Sequence, residues 1–132
     1  MSDTKELLAC FNKKLVEFGR DLASLFPSDT DILSFKTSLA CMMLVDDRKS
    51  ERLFHSYVVV PYSDRLLQRD ETFFLHSKEI DKVVDSHTEF PEMTQALLNK
   101  LRQYWSHMLE EDKTAVWNYF KVLSMLSRKL HA

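Results

Sequence analysis

The residues able to do chemistry in this 132-residue chain are few and scattered. Five histidines stand at His55, His76, His87, His107 and His131. None has a cysteine or a second histidine at metal-ligand spacing. Each reads first as a surface or hydrogen-bonded imidazole, and only a site assembled from separate helices would bring two together. Cys10 and Cys41 are the two thiols. They form no CxxC pair, and no local positive charge would turn Cys41 into a thiolate, so both read as free, packed cysteines. Cys10 and His55 could meet only through the tertiary fold. No serine lies in a GxSxG turn. Gly19 is the sole glycine, which excludes phosphate-cradling and dinucleotide loops. The acids Asp70, Glu71, Glu79, Asp81 and Asp85 cluster without the spacing of a calcium loop. The expectation is a chain with no catalytic residue, no cofactor and no metal.

Those residues must be carried by helices. One glycine and three prolines leave too few turn formers for a β-rich chain. Composition is 45% hydrophobic and 29% charged, as in a globular protein, and the length fits a single domain over 1–132. The expected fold is all-α, a compact bundle of five to six helices. A net charge of −2 supplies no general pull toward nucleic acid or anionic lipid. Charge is unevenly spread. Positions 70–92 hold seven acids and two bases, whereas positions 93–132 hold six bases and three acids. No apolar run approaches a membrane span, MSDTKELLAC does not read as a secretory signal, and two unpaired thiols fit an intracellular, reducing setting.

Helix one is expected over Thr4–Phe26, with Asp3 and Glu6 as a capping box. Leu8, Phe11, Leu15, Phe18, Leu22 and Leu25 make one stripe, either a bundle wall or a homodimer seam. Gly19 inside it suggests a close helix crossing. Helix two is expected over Asp29–Val45 behind a Ser28 cap. Ile32, Phe35, Leu39 and Met42 form its buried stripe, widened by Leu33, Ala40 and Met43. Helix three, about Ser50–Gln68, carries the row Phe54, Val58, Tyr62, Leu66 straight through Pro61 and is expected to kink there. A short helix could form over Lys78–Asp85 inside the acidic segment 76–90. Helices four (Pro91–Leu109) and five (Lys113–Lys129) are joined by a short loop and are expected to pair as an antiparallel hairpin.

Asp70, Glu71, Phe73, Phe74 and Leu75 stand apart, two acids ahead of three large apolar side chains. They form either a tucked-in loop or short helix, or an anchor for a protein partner, since aromatic side chains dominate interface energies. The basic residues after position 93 interleave with Tyr104, Trp105, Trp117 and Tyr119, a mixture that can also bind nucleic acid.

Several landmarks together carry a resemblance. They are Phe11-Asn12 and Phe18, Phe26-Pro27, Pro61-Tyr62, Asp70-Glu71 before Phe73-Phe74-Leu75, Tyr104-Trp105, and Trp117-Asn118-Tyr119-Phe120. Over residues 11–126 this set resembles small helical proteins of uncharacterised function from large DNA viruses of algae and other protists. The resemblance implies an all-helical fold and a viral source, and it assigns no catalytic or metal residue. The function expected is a non-enzymatic interaction or structural protein, such as a virion or host-cell scaffold component. A nucleic-acid-binding accessory factor is the alternative.

Overall fold

A computed structural model describes residues 2–80, 82 and 91–132. Among them the fold is all-helical, with seven α-helical segments and no strand. These are α1 (Ser2–Leu25), α2 (Thr30–Val45), α3 (Lys49–Phe54), α4 (Val60–Leu67), α5 (Glu71–His76), α6 (Pro91–Trp105) and α7 (Glu110–Leu130). Residues 78–80 and 82 are also helical, while the rest of the expected Lys78–Asp85 helix, with Asp81, Asp85 and His87, lies outside the described residues. No described helix is long and apolar enough to cross a membrane.

The stripe of α1 decides the centre of the molecule. Phe11, Phe18 and Leu22 are buried against the rest of the chain, chiefly α7 and α2. Phe18 meets Tyr119 and Phe120, and Phe11 meets Phe54. The middle of the stripe expected as a bundle wall or homodimer seam is therefore covered within one chain, while Leu25 at its end stays exposed. Around it Phe18, Leu22, Ala23, Ile32, Trp105 and Val116 form the main core. At about 25 cal/mol per Å² of apolar surface, each such side chain contributes on the order of 2 kcal/mol.

Three expectations about packing change. First, α6 lies against α2, and α7 lies against α1, so the predicted α6–α7 hairpin does not form. Those two helices touch where Trp105 meets Trp117 edge-on. The helix also stops at Trp105 rather than Leu109, and extended backbone at Leu109 (φ −66°, ψ 150°) redirects the chain. Second, α2 starts from Asp29 rather than Ser28. The Asp29 carboxylate accepts from the Asp31 and Ile32 amides, two donors left bare at a helix start. Third, the inward stripe of α2 is narrower than expected, with Phe35 and Met42 half-buried beside Ile32 and Leu39. Ile32 and Leu39 are buried, but Leu33, Ala40 and Cys41 face solvent, and Cys10 is exposed as well. The two thiols are free, as expected, and exposed rather than packed.

Between α3 and α4 the helical run continues through Pro61 by way of a π turn, His55–Val59. The Val60 amide reaches back five residues to the His55 carbonyl. A π turn takes more residues per turn than an α turn, so the inner face slips by one position. Val59 is buried in place of Val58, and Val60 is exposed. Tyr62 and Leu66 then resume the buried row. A similar shift occurs on α7. Val116 and Leu123 point inward, and the buried row continues through Ser124 and Ser127 while Met125 is exposed.

Candidate functional site

The five residues Asp70, Glu71, Phe73, Phe74 and Leu75 build α5 and its entrance. Asp70 caps the helix by accepting from the Phe73 amide, and it pairs with Arg65. Both contacts hold its carboxyl below the usual carboxylate range, the Arg65 bond most strongly. Glu71 accepts the Trp105 indole N–H at 2.6 Å. The Phe73 ring lies beside Tyr62 and under the Arg65 guanidinium, Phe74 stands edge-on to Trp117, and Leu75 joins the main core. Phe74 and Leu75 also line a cavity of about 210 Å³ with Tyr62, Leu66, Leu101 and Trp105. The segment is a short helix with no fully buried residue, and each of the five side chains has an intramolecular contact. The aromatic residues interleaved with the basic positions are likewise used inside the fold. Trp105 is buried, while Trp117, Tyr119 and Tyr104 pack against the core.

A second group was not expected. Glu51 lies on α3 and is 0% exposed. His55 follows one turn later, at the start of the π turn. Ser127 and His131 occupy the same i, i+4 relation at the end of α7. The two pairs face each other. Ser127 donates to Glu51 Oε1 at 2.9 Å, and His131 Nε2 sits 2.8 Å and 3.1 Å from the two Glu51 oxygens. His55 Nδ1 is 3.1 Å from Ser127 Oγ. The two imidazoles stack with centroids 3.6 Å apart and planes 12° from parallel. Burial, followed by the neighbouring His131, lowers the His55 pKa, and Glu51 opposes that. His55 is thereby biased toward the neutral form, whose ring offers a lone pair.

No protein-family model, no curated protein and no solved structure matches this chain.

What the cluster can do follows from its atoms. A buried carboxylate is costly unless its charge is answered. Ser127 is fully buried, so its hydroxyl is closed to a substrate and serves Glu51 instead. Two imidazoles and a carboxylate whose ligand atoms all fall within 4.8 Å can converge on one cation. The sequence held a faint signal for this: Glu51–His55 and Ser127–His131 are both spaced to share a helix face. Nothing in the sequence says that those two faces meet.

A third feature is apolar. Leu33, Thr37, Ala40, Cys41 and Leu44 recur at helical spacing on the outer side of α2, all exposed, with no charged residue among them. Leu44 is 89% exposed and Val45 90%.

Proposed function

We propose that this chain is a non-catalytic helical protein that holds a protein partner on the outer face of α2. The observation that carries this reading is the uncharged strip Leu33, Thr37, Ala40, Cys41 and Leu44, ending beside the bare Val45. Contiguous apolar surface of this kind marks interaction sites on soluble proteins, where single exposed apolar residues do not. A role as a virion or infected-cell scaffold component suits the resemblance to viral helical proteins.

The test is a comparison of the wild-type chain with Leu44→Asp as bait in extracts of the native source. Leu44 makes little contact with its own fold, so the variant should melt at the wild-type temperature. The expected result is a partner retained by wild type and lost from Leu44→Asp. Equal capture by both proteins refutes the α2 face. The nucleic-acid alternative would appear as retention on DNA or RNA that falls steeply with salt and is indifferent to Leu44→Asp.

A further inference from the structure

We propose that Glu51, His55 and His131 form a binding site for one first-row divalent cation, with Zn²⁺ the foremost candidate. The site is independent of the α2 face. Its ligand atoms already lie within 4.8 Å of one another. Metal–nitrogen and metal–oxygen bonds of about 2.0–2.2 Å place tetrahedral ligand atoms somewhat over 3 Å apart, so the ligand atoms must draw closer and the two rings, now 12° from parallel, must tilt until both lone pairs meet at the ion. The Glu51–His131 contact is at 2.8 Å. A cation entering there replaces the proton shared by that pair, and the proton leaves to solvent.

Three further observations favour a cation over a plain ion pair. One imidazole is enough to hydrogen-bond Glu51, yet two imidazole rings are stacked beside the same carboxylate. The ligands also stand on two helices of different parts of the chain, which fixes their approach. Finally, Ser127 donates to Glu51 Oε1, the outer hydrogen bond that orients a ligating carboxylate. Glu51 is fully enclosed, while the His131 side chain is 32% exposed. That leaves an open edge for water as a fourth ligand, the pattern of a three-ligand zinc site. Two nitrogens and one oxygen suit Zn²⁺, Co²⁺, Ni²⁺ or Cu²⁺, and three ligands of this type are a poor set for Ca²⁺ or Mg²⁺.

The experiment titrates the metal-stripped full chain with Zn²⁺ by calorimetry and follows its melting temperature. The expected result is one strong site per chain, with protons released on binding and a higher melting temperature at saturation. His55→Gln and His131→Gln should each weaken that site at least about tenfold, the scale seen when a metal site loses even an outer-shell partner. Ca²⁺ should leave the melting temperature unchanged. The histidine variants carry the test because Glu51→Gln alters the buried centre and could fail to fold. Absence of a heat and of a thermal shift with Zn²⁺ overturns the proposal. So does Zn²⁺ binding of undiminished affinity in both variants, which would place the ion on other residues.

Discussion

Asp29 shows how much one side chain can be asked to do. It caps α2, accepts a hydrogen bond from the Tyr104 hydroxyl and lies 3.5 Å from Lys100 Nζ. The Tyr104 bond is the main reason its pKa falls below the ordinary aspartate value of 3.8, with the Ile32 amide and Lys100 adding to it. A carboxyl depressed in the folded state stabilises the fold above its unfolded value, and that contribution fades as pH falls through the folded value. Tyr104→Phe removes the largest cause. The variant should be less stable than wild type near neutral pH, and the gap between their urea midpoints should narrow as pH drops below 3.8. A gap that stays constant into acid would show that Asp29 does not carry the effect. At this scale the sequence was only partly readable. It placed a cap at the start of α2 but one residue early, because Ser28 and Asp29 are both good caps and only the fold supplies Tyr104 and Lys100. The Glu51 cluster shows the same limit, since half of it comes from the far end of α7.

Helix ends carry the clearest expectations at the scale of elements. With one glycine in the chain, α4 ends on Arg69 in the left-handed region at φ 51°. The Asp70 amide bonds the Arg65 carbonyl and the Arg69 amide bonds that of Leu66, which closes a Schellman motif around a residue that is not glycine. A side chain in that conformation costs about 1 kcal/mol or more. Arg69→Gly should therefore raise stability by roughly that amount, read as a higher urea midpoint, even though the long Arg69–Asn118 hydrogen bond is lost. Inside α1 the reverse exchange applies. A Cβ built on Gly19 would find Lys36 atoms at 3.9–4.0 Å, ordinary van der Waals contact. The helices cross here, as the mid-helix glycine suggested, but not so closely that glycine is required. Gly19→Ala should stabilise by about 0.5–1 kcal/mol, measured in the same titration. A loss of stability would mean that α1 and α2 lie closer than this. Helix positions along the chain were well marked in the sequence because α1, α6 and α7 alternate apolar and polar residues at a 3.6 period. The inner stripe of α2 was marked as well, although Leu33 and Ala40 beside it face outward, whereas that of the Pro61 helix was not, because a π turn breaks the count.

Across the whole molecule, an all-helical fold follows from the scarcity of glycine and the long periodic stretches. Which helix lies beside which did not follow. A short connection between α6 and α7 argues for a hairpin, yet the backbone at Leu109 is extended and α7 is taken up by α1 instead. The aromatic content of both helices fits either arrangement, so sequence pattern alone does not choose. The α5 segment reads from the sequence as a tucked-in loop or short helix, or as a partner anchor, and the structure gives a short helix with half-buried rings against Tyr62 and Trp117.

The pairing of α1 with α7 also governs how the protein can be made. Asp21 and Tyr119, hydrogen-bonded partners in the finished fold, are 98 residues apart in the chain. During synthesis Phe11, Phe18 and Leu22 leave the ribosome long before the helix that covers them exists. Until then they are an exposed, sticky strip, and a nascent chain in that state is open to aggregation and to chaperones. Newly made protein passes through its most vulnerable interval before α7 emerges, and α2 with its own bare apolar face is present throughout.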